Sequence, residues 1–292
     1  LTLKLLTIGQ SGQVATEIAR RAGPDLAVET VGRDRLDLEN IDAAAALVAE
    51  ADADIIVNAA AYTAVDKAEE EEALAHRINA EAPGAMAAAA AARGLPFLHI
   101  STDYVFDGGG ERPWREDDPT GPLGAYGRTK LAGEAAVAAA GGPHAILRTA
   151  WVFAGHGGNF VSTMLRVGVD RDRLTVVDDQ WGGPTAAGDI ADTLIAIAKA
   201  YSAGDGVDGV FHYAGAPATT WRGFAAAIFD ATGWAKTPEV APIATADWPT
   251  PATRPANSRL DCAKIGAAYG IAAPDWRQAL PSVIREIQGK TA

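Results

Sequence analysis

Tyr126 and Lys130 stand four residues apart in Tyr126-Gly127-Arg128-Thr129-Lys130, a spacing that on a helix sets a phenol and an ammonium on one face. A phenol ordinarily titrates near pH ~10, and it becomes an acid-base group at neutral pH when a nearby positive charge favours its phenolate form. Lys130 supplies such a charge, so the pair reads as a proton donor to a carbonyl oxygen. Of the six tyrosines, only Tyr126 has a lysine four positions on. Upstream, Ser101-Thr102-Asp103-Tyr104-Val105-Phe106 closes an apolar run, where a hydroxyl is held rigidly at a strand end. When hydride reaches a carbonyl carbon, charge grows on the oxygen; a hydroxyl stabilises that charge and a phenol quenches it.

A hydride donor has its own signature near the start of the chain. Gly9-Gln10-Ser11-Gly12-Gln13-Val14-Ala15 follows the first apolar run and opens a helix, with GxxGxxA spacing. Gly9 permits the tight turn, Gly12 lets the backbone approach a pyrophosphate, and Ala15 allows close helix packing. The backbone N–H groups around Gln13 and Val14 would meet the phosphates. After the second strand come Arg33, suited to the 2′-phosphate of NADP, and Asp34, suited to the free ribose hydroxyl of NAD. NADPH is therefore the expected hydride donor, with NADH tolerated. Asp37 and Leu38 are adenine-side candidates. Ala61, Tyr62 and Thr63 lie in a small-residue string that lets a cofactor rest against the backbone.

The elements that must position these groups alternate along the first half. Apolar runs over residues 3–8, 27–31, 55–58, 97–101 and 145–151 read as strands, and alanine-rich stretches over 13–22, 41–49, 73–93 and 126–140 read as helices. That alternation predicts an α/β fold, a Rossmann-like doubly wound parallel sheet. Residues 1–155 form the expected dinucleotide-binding domain, to which a helix and strand in 186–214 return. Residues 156–185 and 215–292 form a smaller, mainly C-terminal substrate lobe, loop-rich through the prolines of 237–255. Ligands of such sheets bind at the carboxyl ends of the strands, and every suggestive cluster of the first half falls on that edge.

Composition excludes several other functions. With 48% hydrophobic residues the 292-residue chain can bury a sizeable core, while a net charge of −12 argues against a general binder of nucleic acid or anionic membranes. Cys262 is the single cysteine, so no intramolecular disulfide forms. No apolar run nears the ~18 residues of a membrane helix. The opening apolar run is short for a secretory signal and reads as a buried strand, which makes the cytoplasm the expected compartment.

With these residues in hand, the chain resembles the extended short-chain dehydrogenase/reductase superfamily and, within it, the dTDP-4-dehydrorhamnose reductase family. The likeness rests on residues 9–14, 57–69, 101–106 and 126–134, then on Arg148-Thr149-Ala150-Trp151-Val152-Phe153, Asp179-Gln180-Trp181-Gly182-Gly183-Pro184-Thr185 and residues 254–260. The resemblance implies reduction of the 4-keto group of dTDP-4-dehydro-6-deoxy-L-mannose by NADPH or NADH, giving dTDP-L-rhamnose. By the same resemblance Thr102 is the catalytic hydroxyl, Tyr126 the proton donor and Lys130 the anchor of the cofactor ribose. Asp103 and Trp151 fall on positions used against the sugar nucleotide, and a tryptophan face suits the apolar side of a deoxysugar. Arg254 and Arg259, and separately Asn159, are candidates for the nucleotide diphosphate.

Some family members dimerise through magnesium held by acidic side chains. Glu17 falls on one such position, but the second falls on Gly188, with Asp189 merely adjacent. No metal ligand set is carried over, activity is expected to survive chelation, and monomer and homodimer both stay open. Two other functions share these motifs. One is a nucleotide-sugar epimerase or dehydratase of the superfamily; the other is a non-catalytic dinucleotide-binding subunit resembling the methionine adenosyltransferase β subunit.

Overall fold

The computed structural model describes residues 2–290. Six parallel strands form the central sheet: β1 (Leu3–Ile8), β2 (Leu26–Val31), β3 (Ile55–Asn58), β4 (Phe97–Thr102), β5 (His144–Thr149) and β6 (Gly209–His212). Their order is β6-β5-β4-β3-β1-β2, so the chain reverses direction between β1 and β3 and opens a crevice at the carboxyl ends there. Both faces of the sheet are covered, which is why its strands read as continuous apolar runs. In β1, Leu5 packs toward α1 (Gln13–Ala19) and the later helix Ala187–Ala203, while its neighbour Leu6 packs toward α2 (Ile41–Glu50) and α3 (Ala82–Ala92). α4 (Ala125–Ala139) joins the second layer through Val137.

Two departures from the periodicity bear on the site. The helix expected over residues 73–93 is divided into Glu72–His76, a π-helical turn Arg77–Glu81, and α3. Pro83, in the first turn of α3, has no N–H to give the carbonyl four residues back, and the widened turn carries Asn79 inward. The strand expected to reach residue 151 stops at Thr149, because Trp151 adopts a left-handed φ of 50°.

Three further helices, Phe160–Gly168, Trp221–Asp230 and Trp276–Lys290, pack around Phe153, Leu165, Phe224 and Trp276. Within the region read as loop-rich, Glu239–Ile243 forms a strand parallel to Arg173–Val177. Pro242 is tolerated because that sheet has only two strands and each is an edge. Among the described residues no helix is long and apolar enough to cross a membrane.

Candidate active site

Helix α4, which carries Tyr126 and Lys130, packs on the turn that follows β4. Its N-cap, Gly124, offers no side chain, and Glu69 instead accepts a hydrogen bond from the Ala125 N–H at 2.8 Å. Tyr126 is thereby held in the first turn. A Cβ on Gly127 would lie 2.2 Å from the carbonyl oxygen of Tyr104, so only glycine lets the helix rest on the turn that follows Thr102.

Side chains alternate along β4, and that separates two adjacent hydroxyls. Ser101 turns inward and donates to Glu134, leaving Thr102 on the site side. Thr102 Oγ1 donates to Asp103 Oδ1 at 3.0 Å and accepts from the Tyr104 N–H at 3.2 Å. Tyr126 joins this group: burial of its hydroxyl and the negative charge of Asp103 push its pKa up to about 12, opposed by a hydrogen bond to Thr102. Burial likewise pushes Asp103 up to about 6, against hydrogen bonds from Ser258 and Thr102. The Tyr104 ring meets Tyr126 edge-on, with centroids 5.5 Å apart.

Lys130 sits one turn further along α4 and is only 2% exposed. Its Nζ donates to the Ile100 carbonyl at 2.7 Å and lies 3.2 Å from His99 Nε2. Burial pushes the amine down to about 8, with Glu134 acting the other way. The spacing predicts that Lys130 acidifies the phenol; the groups acting on Tyr126 here are its burial, Asp103 and Thr102. The Lys130 amine is hydrogen-bonded to β4, and burial with Asp103 drives Tyr126 upward.

On the cofactor side, Gly9 has a φ of 114°, and a Cβ there would already touch Ala15 and the Ala59 backbone at 3.4 Å. Gly12 is the N-cap of α1 without a side-chain cap, and Val14 is buried in the core, so the first backbone N–H groups of α1 have no capping side chain. This arrangement fits a pyrophosphate. Arg33 is exposed beyond β2. Asp37 is exposed and its carboxylate accepts from Glu39 N at 3.0 Å, whereas Leu38 packs on the core. Ala61 and Tyr62 are half-buried and Thr63 is exposed. Tyr62 is tied back through its N–H to Asn79 Oδ1 at 2.8 Å and through its hydroxyl to Glu71.

The substrate candidates are less free than the sequence implies. The Trp151 ring is stacked on Trp221, centroids 3.6 Å apart, so one of its faces is covered. Arg254 is paired with Asp66 at 2.8 Å and donates to the Ala252 carbonyl at 3.1 Å. Arg259 donates to Asn257 Oδ1 at 2.8 Å and lies over Trp181. Asn159 caps its own helix and also donates to Gln13 Oε1 at 3.1 Å, linking the second lobe to the glycine turn.

With this geometry in view, the comparisons with known proteins are decisive. The family described as RmlD substrate binding domain matches residues 3–288. The chain belongs to that family. A Sinorhizobium fredii protein named dTDP-4-dehydrorhamnose reductase is 43% identical over 298 aligned positions, covering 99% of this chain and all of that one. A Clostridium acetobutylicum dTDP-4-dehydrorhamnose reductase structure superposes with a TM-score of 0.91 at 38% identity, covering 98% of this chain and all of the other. The Bacillus anthracis enzyme of the same name, solved in complex with NADP, also gives a TM-score of 0.91, at 30% identity and the same coverage. This chain is accordingly an oxidoreductase of the RmlD family on a Rossmann-like fold.

In this family member the Glu17 carboxylate is already paired within the chain. Glu17 accepts from His156 at 2.8 Å, Arg20 at 2.9 Å and Arg21 at 2.9 Å, and Arg21 also donates to the Gly188 carbonyl at 2.9 Å. Two guanidinium groups on one carboxylate oppose a divalent cation at that place.

The sequence placed Asn58, Glu134 and Arg148 only within motif strings, with no role of their own, and gave no place to His99, Asn79 and Trp221. Arg148 and Glu134 make a bidentate pair at 2.9 and 2.6 Å directly behind Ser101. The available signal was polar residues inside apolar strands: His99 interrupts β4 and Arg148 interrupts β5.

Proposed function

We propose that this chain reduces the 4-keto group of dTDP-4-dehydro-6-deoxy-L-mannose to give dTDP-L-rhamnose, using NADPH in preference to NADH, with Tyr126 as proton donor. The carrying observation is the enclosed group of Thr102, Asp103 and the Tyr126 hydroxyl at the carboxyl end of β4. The full-length relatives named dTDP-4-dehydrorhamnose reductase support the substrate, and the NADP complex of the Bacillus anthracis enzyme supports the cofactor.

The dinucleotide, when bound, supplies the hydride. The chain's own residues do the rest. A phenol pushed up to about 12 stays protonated at neutral pH, so Tyr126 meets the carbonyl as an acid. An alkoxide is the stronger base, and the proton moves to it from Tyr126 while the Thr102 hydroxyl stabilises the growing charge. Lys130 anchors the nicotinamide ribose, the N–H groups after Gly9 hold the pyrophosphate, and Arg33 meets the 2′-phosphate. Asp103 and Trp151 border the sugar, and Arg254, Arg259 and Asn159 border the nucleotide.

The test is loss of nicotinamide absorbance when NADPH is mixed with the dTDP-4-keto-6-deoxy-L-sugar. Tyr126→Phe should lower kcat at least ~100-fold, in keeping with a lost general acid. Wild-type turnover in the variant removes Tyr126 from the role. Equal or better kcat/KM with NADH overturns the cofactor preference.

A further inference from the structure

A buried chain of polar groups runs from the cofactor-side loop to Lys130, and its donors and acceptors do not match an ammonium at the end. The first link is set by the backbone. Ala60 N–H donates to Asn58 Oδ1 at 3.2 Å, which turns Asn58 Nδ2 toward His99 Nδ1 at 3.1 Å. An amide nitrogen only donates, so Nδ1 accepts and the ring proton resides on Nε2. Nε2 in turn faces Lys130 Nζ at 3.2 Å, while Nζ donates to the Ile100 carbonyl at 2.7 Å.

A ring N–H and an ammonium are both donors. The 3.2 Å contact is a hydrogen bond in this arrangement only if the amine is neutral, with its lone pair toward the ring. An ammonium requires the opposite: Nε2 accepts, Nδ1 carries the proton, and Asn58 must present its oxygen to the ring and give up the Ala60 N–H. Asn58, His99 and Lys130 are 1%, 0% and 2% exposed, so water does not relieve a mismatch.

We propose that His99 is a positioning residue that ties the charge of Lys130 to the orientation of the Asn58 amide, and thereby to the Ala60 end of the cofactor-side loop. The inference rests on Lys130 being the cofactor-side amine of the proposed reaction. In one state the loop N–H is bound and the amine is neutral; in the other the loop N–H is released and Lys130 is an ammonium. The neutral amine leaves Tyr126 a phenol, the form that donates, and the ammonium favours the phenolate, the form left after donation.

The surrounding charges permit this exchange. On α4, Tyr126 and Glu134 flank Lys130; on β5, Arg148 already binds Glu134 at 2.6 Å; at the end of β4, Asp103 acts on Tyr126. Glu134 is thus largely matched before it reaches Lys130. Burial pushes Lys130 down to about 8, within reach of ordinary pH, while burial and the Lys130 charge hold His99 well below its usual range. The ring therefore changes tautomer without becoming cationic.

The experiment is nitrogen-15 NMR of the full chain labelled at histidine and alanine, titrated from neutral to alkaline pH without ligand. At alkaline pH His99 Nδ1 should show the signal of an unprotonated ring nitrogen and Nε2 that of a protonated one. On return to neutral pH the two should exchange character, with the Ala60 amide moving at the same midpoint. Asn58→Asp places a fixed acceptor opposite Nδ1, so it should hold the proton on Nδ1 throughout and abolish the exchange. A wild-type ring that keeps one tautomer over the whole range, or that becomes an imidazolium, overturns the proposal, as does an Ala60 amide that does not follow. No turnover enters this readout, so it fails separately from the proposed reaction.

Discussion

Replacing Glu134 by glutamine tests the framework behind the site most sharply. Glu134 and Arg148 side chains are each 5% exposed, and their two hydrogen bonds of 2.9 and 2.6 Å are the bidentate form. Glu134→Gln keeps the shape but removes the charge, and its amide NH2 must face a guanidinium donor. Breaking one side of a buried pair leaves an uncompensated charge, at a cost of ~3–5 kcal/mol. Against a typical total of ~5–15 kcal/mol that is roughly a fifth or more of the stability. With a urea slope of ~3 kcal/mol per molar for a chain of this size, the unfolding midpoint should fall by ~1–1.7 M. Tryptophan fluorescence reads it, since the chain has seven tryptophans. The double variant Glu134→Leu with Arg148→Met should recover most of the loss, because a matched buried pair is worth little more than an apolar one. Independent, additive losses in the two single variants and the double would refute the reasoning. So would a midpoint for Glu134→Gln within ~0.3 M of wild type.

Two other expectations follow from the charges. The folded chain holds the Asp103 proton more tightly than the unfolded chain, about 6 against 3.8, so the cost of its carboxylate is absent below the unfolded value and builds as pH rises through about 6. Asp103→Asn should therefore stabilise the fold at neutral pH by up to ~3 kcal/mol and leave it unchanged near pH ~3, at the expense of activity. Equal unfolding midpoints of variant and wild type at both pH values would show that burial of Asp103 carries no such cost. Because Arg20, Arg21 and His156 already bind Glu17, turnover should persist in excess chelator. Complete loss restored by magnesium would place a metal in the working enzyme.

The sequence by itself determined the parallel sheet, the glycine turn and the pairing of Tyr126 with Lys130, because each is written in a short period. Alternating apolar runs and helices specify βαβ units, GxxGxxA specifies a turn between a strand and a helix, and four residues make one helical turn. Only the tertiary structure decided which groups meet across the chain. It turned Ser101 to Glu134 and left Thr102 at the site, stacked Trp151 on Trp221, and paired Arg254 with Asp66. It also lined up Asn58, His99 and Lys130 from β3, β4 and α4, and bound Glu134 to Arg148. Periodicity states which face a residue occupies, whereas its partner on that face comes from another element. The protonation of Tyr126, Lys130 and Asp103 follows from those partners and from enclosure, and local spacing carries no record of either.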